Sequence, residues 1–424
     1  MKHKVDCKKI HFKTFGCKVN QYETQVAREL FLKAGFSEGS RNDSDIYVIN
    51  SCSLTKNTDR KVKQSINEIR RLNPNAKIFV MGCGVFNPES GLREIKDIEI
   101  FADKDKRQIF NKITGISACV AGGISGFEGR QRAFVKVQDG CNNFCSYCVV
   151  PYLRGKPVSR PEKEILNEIK NLLDNRFKEI ILCGINLGLY GCERGGNLTG
   201  LLKKIAAFDG EFRIRLSSIE PNHVTKELID LMADNPKMCP HFHLPLQSGD
   251  DVILKIMNRR YSTLDYFSLI DRVRKKVKDA AFTTDILVGF PQEKEENFKN
   301  TLLAIGKGDF LKAHVFSYSR RDQTASAKLD GHLQREIVIE RRKEAEEKAF
   351  KVSYNFRKKF LNKPLRALIE KRRNILTARH YGFTDNYIEI QLKAVDVAVN
   401  DFREIKITDV RNKENLAFLI NESE

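Results

Sequence analysis

The chain has 424 residues, with 74 Lys and Arg against 55 Asp and Glu, a formal charge of +19 and a pI of about 9.4. That length allows two or three domains, and the basic excess fits a polyanionic partner, nucleic acid first, better than a neutral small substrate. Eleven cysteines would suggest disulfides only in a secreted protein. The Lys-rich opening lacks the apolar core of a signal peptide and no apolar run reaches membrane-spanning length, so a cytoplasmic, thiol-reduced protein with no membrane partner is expected.

Residues 10–15 read as a strand. Val26, Ala27, Leu30, Phe31 and Ala34 then recur at helical spacing over 20–34, where Gly35 stops the run. A second strand (45–50), a second helix (59–72) ended by Asn73-Pro74, and a third strand (76–81) follow. Alternating strands and helices predict a small parallel α/β sheet over a first domain, 1–120. Cys17, Cys52 and Cys83 each come just after a strand's C-terminal end. In an open parallel sheet those ends share one edge, where ligands bind. Three cysteines 35 and 31 residues apart are thus expected to meet, a placement that packing thiols would not explain.

A Gly-containing link, 121–129, leads to a strand at 134–138 and then to Cys141-Asn142-Asn143-Phe144-Cys145-Ser146-Tyr147-Cys148. A structural zinc site is closed by four N or S ligands, and no Cys or His follows at finger-like spacing. Three thiolates suit an iron-sulfur cubane with one iron left open. The C-x3-C-x2-C run, with Tyr147 before its last cysteine, resembles the radical S-adenosylmethionine (SAM) enzymes. In them the open iron chelates SAM and the reduced cluster cleaves it to a 5'-deoxyadenosyl radical.

Five further strands are expected at 179–184, 213–219, 241–246, 282–289 and 312–319. Helical segments intervene at 162–173, 201–208, 226–233, 264–277 and 296–305. Repeated βα units place a site at the C-terminal strand ends; the resemblance implies that the six form a partial (βα)6 barrel, over 127–357. The stretches 182–188, 213–221, 244–249, 283–291 and 316–319, together with Gly16-Cys17-Lys18-Val19-Asn20-Gln21-Tyr22-Glu23, Asn50-Ser51-Cys52 and Gly82-Cys83, resemble the radical SAM methylthiotransferases. The first of these motifs resembles the branch that modifies N6-threonylcarbamoyladenosine in tRNA. Ser53-Leu54, Gly84-Val85-Phe86, Pro157-Val158 and Gln292 depart from the family's commoner residues without removing a cysteine.

The resemblance implies two 4Fe-4S clusters, one on Cys141, Cys145 and Cys148 and an auxiliary one on Cys17, Cys52 and Cys83. One SAM would give a methyl group and a second the radical. Tyr147, Gly184, Asn186, Ser218, Glu220 and Gln247 are expected around SAM by motif position. Arg154 is a candidate for the SAM carboxylate or an RNA phosphate. His241 and His243 share a strand face and read as hydrogen-bonded barrel residues. Cys7, Cys119, Cys183, Cys192 and Cys239 lack motif spacing and read as packing thiols.

A charged helix at 334–360 ends before Pro364. Strands expected at 365–370, 375–379, 387–392 and 404–408 suggest a small β-barrel over 358–424. Its size and the run 382–387 resemble the TRAM RNA-binding domain. Lys371, Arg372 and Arg373 are candidates for phosphate, and Tyr381, Asn386 and Tyr387 for base contacts. The implied activity is methylthiolation at C2 of N6-threonylcarbamoyladenosine, position 37, in the tRNA anticodon stem-loop, with an electron donor and a sulfur source as further partners. The alternatives are the same chemistry on N6-isopentenyladenosine or on a ribosomal-protein aspartate, and a non-catalytic, metal-stabilised RNA-binding protein.

Overall fold

In the computed structural model, which describes residues 8–116, 123–392, 398–411 and 414–420, strands β1 (Lys9–Thr14), β2 (Ile46–Ser51) and β3 (Lys77–Gly82) lie parallel. Every residue of β2 is buried, as a central strand covered on both faces must be. Short parallel strands Ser37–Glu38 and Glu99–Ile100 extend the two edges. Helices α1 (Lys18–Lys33) and α2 (Lys56–Leu72) cover it. The Thr55 hydroxyl caps α2 by accepting from the Thr58 N–H. Cys7 and Cys119 lie outside the described residues.

Six parallel strands follow: β4 (Arg132–Lys136), β5 (Glu179–Cys183), β6 (Arg213–Leu216), β7 (His241–His243), β8 (Ala281–Val288) and β9 (Lys312–Ser317). They form two three-stranded sheets that the bridges Ile214–Met238 and Ser218–His243 join edge to edge. Helices Glu162–Asp174, Leu198–Ala206, Lys226–Asp234, Thr263–Lys276 and Glu295–Gly308 alternate with them. The result is the expected partial barrel of six βα units, its core continuous with Val19, Tyr22 and Val26 of α1. The first domain is thereby packed against β4 by its own helix.

The helix Arg335–Lys358 leads to a closed barrel of β10 (Pro364–Arg373), β11 (His380–Thr384), β12 (Glu389–Leu392), β13 (Phe402–Val410) and β14 (Asn415–Leu419). The strand expected at 375–379 is instead a hairpin tip, with Ile375 and Leu376 almost fully exposed. The Asn374 carboxamide oxygen accepts from the N–H groups of Leu376 and Thr377, and this turn overrides the β propensity of the side chains. Buried Glu179 at the start of β5 accepts from Arg213 Nε (2.7 Å) and Arg215 Nε (2.8 Å). The same guanidiniums donate to Phe383, Thr384 and Asp385 of the C-terminal barrel, which docks at the N-terminal ends of β5 and β6.

Candidate active site

Cys17, Cys52 and Cys83 follow β1, β2 and β3 and come together at the sheet's C-terminal edge. Gly16 makes the approach possible: its φ is +107°, and a Cβ there would stand 2.7 Å from Cys52 Cβ. Asn20 ties the first two turns together, its Nδ2 donating to Phe15 O, Asn50 Oδ1 and Ser51 O. Burial pushes the Cys83 thiol up to about 12, opposed by the Arg154 charge, with the Cys52 and Cys17 thiols adding to the rise.

The second triad lies in the loop after β4. Gly140, at φ +72°, turns the chain where a Cβ would meet Lys156 O at 2.1 Å. Ser146 N donates to Met257 O, and Ser326 N to Ser146 O, which pins the loop to two later segments of the barrel. Burial raises the Cys148 thiol to about 12, and the neighbouring Cys145 and Cys141 add to it. Arg259 donates to Cys145 Sγ (3.2 Å) and pairs with Glu220. It stands beside Tyr147, which packs edge-on to Phe290.

Burial thus raises two thiols of each triad, Cys52 and Cys83 in the first and Cys141 and Cys148 in the second, and a cationic centre would deprotonate and hold them. All six cysteines are free. Among the described residues no three His, Cys, Asp or Glu converge tightly enough for a single metal ion. A cubane differs from zinc here, since each thiolate takes a separate iron and the sulfurs stand farther apart. The donor sets thus fit two iron-sulfur clusters.

Arg154 departs from expectation. Its side chain is only 7 % exposed, and it joins the two triads' surroundings rather than facing solvent. It donates to Cys83 Sγ (3.1 Å), Asn20 Oδ1 (2.6 Å), Glu23 Oε1 (3.1 Å) and Asp139 Oδ1 (2.9 Å). Burial alone would raise the Glu23 and Asp139 carboxyls, but Arg154 and Lys136 hold both below their ordinary values. An RNA phosphate has no access to a guanidinium so engaged. Neither Arg154 nor Arg259 was legible as a thiol partner, because each is brought to its cysteine by a different loop.

Of the residues expected around SAM, Tyr147 lies in the cluster loop, Asn186 stands at Cys141 and Glu220 reaches Cys145 through Arg259. Asn186 Nδ2 and Ser217 Oγ are buried without a full hydrogen bond, and the Asn186 amide stands against the Cys141 thiol. Gly184 leaves room where a Cβ would be 2.9 Å from Gln138 Oε1. Glu220 is committed to Arg259, and Gln247 takes φ +68° in the turn after β7, its N–H donating to Asp285 O. Gln292, where the family often has Gly, also holds a left-handed φ of +67°.

Gly184 and Ser218 line a cavity of about 880 Å3 that also contains Cys17, His241, His243 and Asp285. Both histidines contact Thr283 Oγ1 (3.0 and 2.9 Å), and His243 Nε2 is 3.2 Å from Asp285 Oδ2. They are hydrogen-bonded barrel residues, as expected, and they face the cavity. His314, which the sequence did not single out, lines it too, and burial lowers its imidazole to about 4.

In the C-terminal barrel Lys371, Arg372 and Arg373 are exposed, and Arg372 lies over the Tyr381 ring at 3.9 Å. Asn386 and Tyr387 do not join them. Asn386 is buried, accepting from Thr384 Oγ1 (2.6 Å), and Tyr387 stacks on Phe383 and His241 at the floor of the large cavity. The turn that carries both points into the domain junction. Cys183 and Cys239 are buried, whereas Cys192 is exposed and not a packing thiol.

The partial barrel with its cysteine loop is that of a radical SAM protein, and residues 135–305 match the Radical SAM superfamily. Residues 9–102 match Uncharacterized protein family UPF0004. The chain is 37 % identical over 360 residues to Threonylcarbamoyladenosine tRNA methylthiotransferase MtaB of Chlamydia pneumoniae, covering 84 % of this chain and 85 % of that one. To the protein of the same name from Thermotoga maritima it is 34 % identical over 94 % of both. The tRNA-2-methylthio-N(6)-dimethylallyladenosine synthase of Thermodesulfovibrio yellowstonii is 36 % identical, with 78 % and 81 % covered. Among solved structures, the radical SAM methyltransferase TsrM of Kitasatospora setae shares the fold, with a TM-score of 0.54, 13 % identity and 76 % and 77 % coverage. The chain belongs to the radical SAM methylthiotransferase family. Membership implies an enzyme of the transferase class with SAM and two 4Fe-4S clusters, the complement that the two thiol triads fit. Among the described residues no helix is long and apolar enough to cross a membrane.

Proposed function

We propose that the protein methylthiolates C2 of N6-threonylcarbamoyladenosine at position 37 of tRNA, acting in the cytoplasm on the anticodon stem-loop. The observation that carries this reading is the shared cavity. Cys17 of the first triad lines the same space as Gly184 and Ser218, two residues expected at SAM by motif position, so a base bound there can face both the first triad and the methyl donor. Residues 1–120 form the auxiliary-cluster domain, 127–357 the radical SAM domain and 358–424 the RNA-binding barrel.

When bound, the clusters and SAM would supply the radical, the methyl group and an open iron for the sulfur to be transferred. The chain's own residues position and shield. Cys141, Cys145 and Cys148 hold one cluster and Cys17, Cys52 and Cys83 the other. Asn186 and Ser217 offer unfilled donors toward SAM, beside Tyr147, Gly184, Ser218 and Gln247. Arg259 fixes Glu220 and leans on Cys145. His243, fixed by Thr283 and Asp285, presents a polar face to the base. Lys371, Arg372 and Arg373 hold the RNA backbone. An electron donor and a sulfur source complete the reaction.

The Cys17-Lys18-Val19-Asn20-Gln21-Tyr22-Glu23 motif favours the threonylcarbamoyl over the dimethylallyl base, and two relatives so named are similar over most of their length. Mass spectrometry of tRNA nucleosides from cells with the gene deleted and then restored tests this. Loss and return of the methylthio-threonylcarbamoyl nucleoside is expected, and a complementing Cys52→Ala copy is expected to restore none. Response of the dimethylallyl product alone refutes the substrate, and product from Cys52→Ala refutes the two-cluster site.

A further inference from the structure

Helix α1 opens on the large cavity, and its first residue, Lys18, lines that space beside Cys17. Lys18 is half-buried, and among the described residues its ammonium makes no ion pair or hydrogen bond. Its charge acts on His241, Asp285 and His314, which belong to β7, β8 and β9, so the side chain reaches inward rather than out to solvent. Cys17 gives α1 no side-chain cap and the first turn holds no acidic residue. The positive end of the helix therefore adds to the same wall.

The other charges of this cavity are engaged or stand elsewhere. Arg215 donates to Glu179 and to the Thr384 and Asp385 carbonyls, and Arg357 to Asn415 and the Arg411 carbonyl. Lys312 stands exposed at the N-terminal end of β9. Of the carboxylates, Asp285 accepts from His243, Glu346 pairs with Arg342 and Glu389 with Arg372. Lys18 thus faces the cavity without a counter-ion, which suits it to hold an anion there. Buried His241 also presents an Nδ1 with no hydrogen-bond partner among the described residues. An apolar occupant would leave that nitrogen unmet, whereas a polar one completes it.

We propose that Lys18 binds the carboxylate of the threonyl group on N6 of the substrate base, and so sets the preference for that base over one whose N6 substituent is apolar. The proposal rests on the methylthiotransferase reading above. In adenine both C2 and C6 are bonded to N1, so the N6 substituent leaves the same edge of the ring as C2. A base that turns C2 toward Cys17 therefore carries its substituent along the same wall, where the next residue is Lys18. A dimethylallyl group offers an ammonium nothing to hold, and covering Lys18 with it removes water from the charge without replacement.

The test uses holoprotein reconstituted anaerobically with both clusters, and anticodon stem-loops that differ only in the modified base. One carries threonylcarbamoyladenosine, one its carboxamide, in which a neutral amide replaces the carboxylate, and one dimethylallyladenosine. Methylthio product is followed against stem-loop and against SAM concentration for wild type, Lys18→Met and Lys18→Arg. Wild type is expected to need about tenfold more of the carboxamide than of the acid for half-saturation, the scale of one charge-assisted hydrogen bond. Lys18→Met should need about tenfold more of the acid and should treat acid and carboxamide within about twofold of each other, while Lys18→Arg should keep the wild-type ratio within about threefold. Half-saturating SAM should not move. Equal use of acid and carboxamide by wild type overturns the proposal, even where Lys18→Met loads no clusters. So does a wild-type ratio that survives in Lys18→Met, or a rise in half-saturating SAM in place of the stem-loop effect. If wild type converts only the dimethylallyl stem-loop, the substrate reading fails and the proposal with it; if it converts acid and carboxamide alike, the proposal alone fails.

Discussion

Replacing Arg154 by Gln removes a side chain that touches the first triad, the first domain's helix and the cysteine-loop strand together. Its guanidinium donates to Cys83, Asn20, Glu23 and Asp139. Breaking a buried ion pair costs roughly 3–5 kcal/mol, because the partner charges stay buried. Lys136 still reaches both carboxylates, Glu23 Oε1 at 2.8 Å and Asp139 Oδ2 at 2.9 Å, so a loss near about 3 kcal/mol is expected. A domain stable by about 5–15 kcal/mol survives that. Urea unfolding of the cluster-free chain should show the shift, and a second substitution, Glu23→Gln, should recover about 1–2 kcal/mol of it. Reconstituted Arg154→Gln should also bind fewer than the wild type's expected complement of about eight irons, since Cys83 loses its donor and Asn20 its anchor. A destabilisation under about 1 kcal/mol with full iron would refute the view that Arg154 is a structural bridge.

Two further outcomes follow from the C-terminal barrel. Burial would raise the Glu179 carboxyl, but Arg213, Arg215 and Arg132 hold it well below its ordinary value of 4.5. A depressed carboxylate stabilises fully above that value, and the contribution is lost as pH falls toward the folded-state value. Acid unfolding of the wild type should therefore include this loss, whereas Glu179→Gln should be about 3–5 kcal/mol less stable at pH 7 and less sensitive to acid; equal acid slopes would contradict it. Changing Lys371, Arg372 and Arg373 together to Gln should weaken tRNA binding for every sequence tested and lower the salt slope by about 2–3. Fluorescence anisotropy at several salt concentrations reads both, and an unchanged slope would remove the basic strand end from the interface.

The order of elements and both cysteine triads were legible along the chain, because β2's apolar run, the helical spacing of α1 and the C-x3-C-x2-C loop are local patterns. So was the meeting of Cys17, Cys52 and Cys83, which follows from parallel strands whose C-terminal ends share an edge. The 375–379 segment misled because Asn374 captures two backbone N–H groups and outweighs the propensity of Ile375 and Leu376.

Tertiary structure alone decided what the polar side chains do. Arg154 read as a candidate for the SAM carboxylate or an RNA phosphate and became a buried clamp, since only folding brings it against Glu23 and Cys83, 131 and 71 positions away. Tyr387 and Asn386 looked like nucleic-acid contacts and line the domain junction, because the turn after β11 faces the foot of the larger barrel. Arg259 carried no spacing signal at all. A hydrophobic period and a thiol spacing are repeated within a few residues, so the sequence determines them. A cation's partner is chosen by the Coulomb field and the desolvation of its final surroundings, which exist only once distant segments have packed.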